Sequence, residues 1–600
     1  MKPSRITKGF LHLPLTIKCC ILVVFLFLSS FLYQKQWDYG LYFIPSLSDG
    51  TKQFSSFTTE FFQKELSLNT LNLHYTLKDP ASYGITSYEI SLGGFYTESE
   101  DSDEKALDKT LFQLHLLGQN SLTTSQQLTL DTLTGCLEEQ KMLNEFPYYP
   151  EYISPSGGTL FQLPVLFAEY ELNSAADIEE YLVLLSQTSS YFEQLMEYER
   201  KKSEAGLFMS EDICLSVIEE CEHFLENKDE HYLVTTFENR ITEIDSLPKE
   251  LKNYYCSQNK SVLEESVYPA YEKVVTVLSN LCKTGTNNWG LCFFPEGREY
   301  YAKLIQDCTG CNDTPEELFS RIENERLEDL FECSLLLTES PTLAQTCSNL
   351  TLSFKNENEM LSILQYAMQD DFPVPAYSTC RVQYVDPSME EVLAPAFYIT
   401  AQLDSYQESC IYINTAASYP DIEYFTTIAH EGYPGHLYQT MMTYDYGIDP
   451  VRCLLDFPGF VEGWATYVEM LSYYYAGLSE EQASLLQHNQ AATLSLYASS
   501  DIGIHFFGWD MNDMVEFWSS YGITDTDAIN EITEIIISNP GNYLSYYVGY
   551  LNFMALREKF MDEYDEEFSL KEFHEAILRI GPTSFELLEK YIPLYYSPQT

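Results

Sequence analysis

The stretch Tyr424–Met442, YFTTIAHEGYPGHLYQTMM, carries His430, Glu431, Pro434, Gly435 and His436 in the middle of a helix-like apolar pattern. In the common H-E-x-x-H zinc motif the two histidines lie at i and i+4 on one helical face, and the Glu beside the first serves as the base. Here the histidines are six positions apart, which on a continuous helix sets them about 120° apart in azimuth. Pro434 would also collide with the carbonyl of His430, four residues earlier. The helix must therefore bulge or break, and Gly435 is the residue able to absorb irregular dihedrals and turn His436 back toward a metal shared with His430.

A third metal ligand is expected from a neighbouring helix, and FVEGWATYVEMLSYYY, beginning at Phe460, supplies Glu462 and Glu469. Seven positions apart, they fall on one face, two turns from each other. The division predicted is Glu462 on the metal and Glu469 hydrogen-bonded to a ligand imidazole. In a chain with 90 acidic residues any single Glu reads as a surface residue, and only the joint arrangement carries weight.

Outward from this region, most segments from about Phe54 onward repeat apolar residues at three- and four-residue spacing. Helices are expected from Asp177, from Ser210 and from Thr314, where a Thr cap is followed three residues on by Glu317. The exception is Ala396–Ala416, in which FYIT and CIYINT flank a polar turn and predict a β-hairpin. The fold class read from these patterns is mainly α with a small hairpin near the histidines. The chain divides into a head and apolar segment at 1–36, a helical region at 37–375 and a metal-binding region at 376–600, the last two being parts of one unit.

With 600 residues, 45% of them apolar, the chain is long enough for one or two full cores. Against 33 Lys and Arg stand 90 Asp and Glu, a formal charge of -57 that repels phosphate backbones and excludes nucleic acid as a partner. The acidity lies outside the first residues, where Lys2, Arg5, Lys8 and Lys18 precede the apolar run Cys19–Tyr33. This pattern predicts export. Because no small-x-small pattern surrounds Ser29 and Ser30, it favours an uncleaved single-pass membrane anchor with the bulk of the chain outside the cytoplasm; a cleaved signal and secretion are the alternative. Thirteen cysteines follow Tyr33, an odd number without a repeated framework. The lone pair Cys308 and Cys311 reads as a disulfide or two thiols rather than a zinc knuckle.

The succession HEGYPGH, EGWATYVE, DIGIHFFGWD and NPGNYLSYYVG resembles the bacterial domain of unknown function 885 family, regarded as zinc metallopeptidases of the gluzincin type. The resemblance implies a predominantly helical gluzincin-like fold, one zinc ion per chain and hydrolysis of peptides. It also implies His430, His436 and Glu462 as ligands and Glu431 as base. Two oxyanion donors are candidates, His505 in DIGIHFFGWD and Tyr546 in NYLSYYVG. Asp501, one turn before His505, is expected to orient it, and Tyr547 is an alternative to Tyr546. His574 reads as a structural hydrogen bonder, and Arg579 either as the partner of an acid or as a residue holding a substrate carboxylate. A non-catalytic surface binding protein and a zinc amidase acting on a non-peptide substrate are the rival functions.

Overall fold

The computed structural model describes residues 50–94 and 100–596 apart from 156, 227, 229, 353, 377–379, 391–392 and 417–419. It is mainly helical, and the capping signals act as the sequence suggests. Thr314 and Glu317 form a reciprocal capping box at the start of α1 (Pro315–Glu339), and Ser210 caps the Glu211–Phe224 helix through the Ile213 amide. The helix expected from Asp177 is two helices, Ala175–Ser186 and Thr188–Glu204. They part at Gln187, whose side-chain amide is drawn out to bond the Leu92 N–H (3.0 Å) and the Ile90 carbonyl (2.8 Å).

The region that positions the histidines contains five further helices: α2 (Asp421–Glu431), α3 (His436–Asp445), α4 (Pro458–Ser472), α5 (Glu480–Ile502) and α6 (Asn542–Tyr564). The expected hairpin is present as β2 (Ala396–Tyr398) antiparallel to β3 (Cys410–Ile413). A third strand, β1 (Arg381–Tyr384), lies parallel to β3 on its other side, so the order is β1-β3-β2. Alternation along the strands divides their side chains between two cores. Ala396, Ile411 and Ile413 join the apolar cluster built from α2 to α6. Phe397 and Tyr412 stack on each other at 5.0 Å and pack against a second cluster built from helices between residues 159 and 281.

Residues 57–100 and 128–600 form one compact unit, and the 375/376 position lies inside it. Within the other unit, whose described residues are 50–56 and 101–127, Gln126 donates to the Thr51 carbonyl (2.9 Å). Among the described residues all thirteen cysteines are free thiols, Cys308 and Cys311 included. No helix among them is long and apolar enough to cross a membrane; the expected anchor at Cys19–Tyr33 lies outside the described residues.

Candidate metal centre and active site

The break demanded by Pro434 occurs where expected. Helix α2 ends at Glu431 and α3 starts at His436, with a cis Tyr433–Pro434 bond between them. The Gly435 amide reaches back to the Ala429 carbonyl (3.0 Å) and the Tyr438 amide to the Gly432 carbonyl (3.1 Å). Few backbone amides are thus left unpaired by the interruption. A Cβ on Gly435 would overlap the His430 carbonyl, so only glycine closes this turn. The consequence is that the two imidazoles, out of phase on an ideal helix, come to 4.8 Å between ring centres at an interplanar angle of 85°.

Helix α4 brings the carboxylates. It crosses α6 at a glycine contact, where a Cβ on Gly463 would sit 2.5 Å from the Gly549 Cα. It is tied to the break by Trp464, whose indole N–H donates to the Pro434 carbonyl at 2.9 Å. Glu462 then faces both histidines, with Oε2 3.6 Å from His430 Nε2 and 3.4 Å from His436 Nε2. Two turns on, Glu469 Oε2 lies 3.0 Å from His430 Nδ1. A hydrogen on Nδ1 shared with Glu469 leaves the Nε2 lone pair aimed at the Glu462 carboxylate.

These distances test the fit of a metal. Atoms bound at about 2.0–2.1 Å to a tetrahedral zinc are about 3.3 Å apart, close to the two separations found. Glu462 Oε2 is moreover buried with no hydrogen-bond partner, an arrangement costly for a carboxylate unless a cation is its partner. Two imidazole nitrogens and one carboxylate oxygen form a donor set suited to zinc, with room for a fourth ligand. Glu431 belongs to the same group, its carboxylate grouping with the two imidazoles within 4.8 Å. Its carboxylate also faces the backbone N–H of Tyr398 on β2, a contact that Glu462 Oε2 lacks.

The electrostatics follow from burial and proximity. Burial raises the Glu431 carboxyl above the usual carboxylate range, although the His430 and His436 rings pull it back. Burial would raise Glu462 too, but the two imidazoles outweigh it and hold it far below that range. Burial opposes a charge on His430, yet Glu462 and Glu469 together draw a proton onto it. The same charge pattern favours a divalent cation. Tyr546, on α6, stacks on His430 at 6.2 Å and 16°, which brings its hydroxyl near the Glu462 and Glu431 carboxylates. Burial first, then the Glu462 and Glu431 charges, keep that hydroxyl protonated. Tyr547 turns into the core, its hydroxyl buried without a partner.

Two expectations are corrected. His505 is not at the cluster: its Nδ1 accepts from the Leu291 N–H (3.2 Å) and its Nε2 donates to the Ile536 carbonyl (3.0 Å). Both ring nitrogens are spent on backbone, and burial lowers its pKa to about 4, so it is a neutral structural residue with nothing to offer an oxyanion. Asp501 does not orient it. Its carboxylate accepts from the Tyr301 hydroxyl (2.6 Å) and from the Gly541 N–H (3.1 and 3.0 Å to its two oxygens), immediately before α6. His574 bridges the Asp371 carbonyl (2.7 Å) and the Tyr467 hydroxyl (2.9 Å), and Arg579 pairs with Glu575 at 2.6 Å. Trp464 and the Tyr398 amide were not foreseen. The Trp sits in the EGWA motif beside Glu462, a detectable signal; a main-chain donor from a strand leaves none.

Comparisons with known proteins agree with this architecture. The chain superposes on two bacterial proteins of solved structure, each designated a "putative lipoprotein". The one from Colwellia psychrerythraea has TM-score 0.80 and 19% identity over 91% of this chain and 99% of that one. The one from Shewanella oneidensis, of unknown function, has TM-score 0.59 and 13% identity over 89% and 99%. None of the curated proteins compared with the chain matches it. The family profile described as "Bacterial protein of unknown function (DUF885)" matches residues 81–592, and the chain belongs to that family.

Proposed function

We propose that the chain is a membrane-attached, extracytoplasmic zinc peptidase acting on short peptides. The observation that carries the reading is Glu462 Oε2, buried without a hydrogen-bond donor and facing the Nε2 atoms of His430 and His436. Export is supported by the basic head and apolar run at the start of the chain, and membrane attachment also by the likeness to two proteins designated lipoproteins.

Zinc held by His430, His436 and Glu462 supplies Lewis acidity, polarising a carbonyl and acidifying a water. The remaining work belongs to the chain. Glu431, steadied by the Tyr398 amide, takes a proton from the attacking water and returns it to the leaving amine nitrogen. Glu469 holds the tautomer of His430. Tyr546 donates its hydroxyl to the carbonyl oxygen as charge develops there. Among the described residues β2 pairs with β3 on one side only, and its other edge, beside Glu431, suits an extended peptide adding as a further strand.

Elemental analysis of the purified protein tests the reading, with about one zinc per chain expected and its loss in His436→Ala and Glu462→Gln. Glu431→Gln should keep the zinc while cleavage of a peptide library falls at least about 100-fold. Absence of zinc after mild loading overturns the metal site. Bound zinc with no peptide cleaved overturns the peptide substrate in favour of another C–N bond.

A further inference from the structure

A cavity of about 1130 Å³ opens beside β2, lined on that side by Phe397 and Tyr398, a volume that accommodates several side chains. Its floor is apolar, with Leu160, Val217 and Tyr271 buried and the Phe224 ring stacked on Tyr271 at 3.8 Å. Its rim carries Glu219, Glu220, Glu226 and Glu230, and no Lys or Arg is among the described lining residues. Lys228, on the neighbouring loop, is engaged by Glu272 at 2.9 Å. His231 in the wall is kept neutral by burial, and no Lys or Arg of the described lining offsets the rim.

Tyr398 links this cavity to the proposed chemistry: the residue lines the cavity, and its strand packs against α2, which ends at Glu431. A peptide extended along the edge of β2 advances about 3.3 Å per residue with alternate side chains to opposite sides. A scissile bond at Glu431 therefore brings a side chain one or two positions away to the cavity mouth. Resting on the peptidase reading, we propose that this cavity is the pocket for a substrate side chain. It selects peptides in which an aromatic or large aliphatic residue is flanked by cationic groups. The apolar floor takes the large side chain, and the glutamate rim takes the Lys or Arg groups beside it, or a free amino terminus.

The test uses the zinc-loaded protein carrying Glu431→Gln, so that binding is read without turnover. Fluorescein-labelled peptides place one Phe between Lys residues or, in the matched peptide, between Glu residues, and anisotropy gives Kd. The Lys peptide should bind about tenfold tighter, the size that a few partly screened surface charge pairs allow, and replacing its Phe by Gly should weaken it. Adding Glu219→Gln, Glu226→Gln and Glu230→Gln should reduce the preference to within about twofold. The same change at exposed Glu563, Glu566 and Glu567, which matches the loss of net charge, should leave it intact. Equal affinities for the two peptides, or a preference abolished equally by both triple variants, overturns the pocket. Cleavage of both peptides with equal kcat/KM by the protein with Glu431 intact overturns the pocket and leaves the peptidase. Charge-selective binding with neither peptide ever cut overturns the peptidase and leaves the pocket.

Discussion

His430 is held from both ends: Nε2 faces Glu462, and Nδ1 shares a hydrogen with Glu469 at 3.0 Å. Removing the second contact leaves the ligand atoms in place but frees the ring to rotate and to exchange tautomers. Glu469→Ala is therefore expected to weaken zinc binding by about 10–100-fold without abolishing it. Competition with a chromogenic chelator measures this, and an unchanged affinity would remove Glu469 from the site. The residues of the cluster were legible because their pattern is unusual: two histidines around a Pro-Gly pair, then two acids seven apart. His505 and Asp501 show the opposite case. A lone polar residue inside an apolar helix reads the same whether it faces a substrate or satisfies the core. What decides is its partners, Leu291, Ile536, Tyr301 and Gly541, which come from distant parts of the chain. On that structural role, His505→Ala leaves the Leu291 N–H and Ile536 carbonyl buried without partners. The expected loss is about 2–4 kcal/mol with zinc affinity unchanged, read by calorimetry and chelator competition.

At the scale of elements, the site depends on how closely α4 and α6 approach. Gly463 and Gly549 meet without side chains, which sets Glu462, one residue before the first, and Tyr546, one turn before the second, against the histidines. Gly549→Val forces the helices apart at a cost of about 1–3 kcal/mol; a lower thermal midpoint together with weaker zinc binding is expected. A lower midpoint with unaltered zinc binding would mean the crossing supports only the fold. Asp501 anchors the start of α6 through Gly541, and burial lifts its carboxyl to about 7 despite the Tyr301 and Gly541 bonds. Its unfolded value is about 3.9, so between these pH values the folded state holds the extra proton. This contribution to stability is full below about pH 4 and is lost as pH rises through about 7. Asp501→Asn, which keeps an acceptor for Gly541, removes that dependence. Relative to the parent it should gain roughly 2–3 kcal/mol between pH 5 and pH 8, seen as a difference in midpoint that grows with pH. Elements themselves were unevenly legible. The β2–β3 hairpin showed as two β-rich runs around a turn, whereas β1, RVQY, alternates polar and apolar residues over only four mostly exposed positions, too short a run to stand out. The division at Gln187 arises from bonds to residues 90–92 that no local pattern records.

At the scale of the whole molecule, 90 acidic residues against 33 basic ones should act in opposite senses on stability and on the capture of the proposed cationic substrates. Like charges spread over one surface repel in the folded state and are relieved when the chain expands. Raising salt from about 0.02 M to 0.5 M shortens the Debye length from about 20 Å to about 4 Å and should raise the thermal midpoint. On the proposed peptidase function, capture of a cationic peptide would draw on the same field reaching out into solvent, so its kcat/KM should fall over that range, by about tenfold where encounter limits the rate. A matched Glu-flanked peptide, repelled at low salt, should change in the other direction. Sodium chloride serves better than sulfate, because sulfate also strengthens apolar burial by exclusion from the surface. A midpoint and a Lys-peptide kcat/KM that rise together would show that salt acts through folding alone. Opposite slopes, together with the inverted response of the Glu peptide, would show that the acidity works as a long-range attraction for basic peptides, maintained against its cost to the fold.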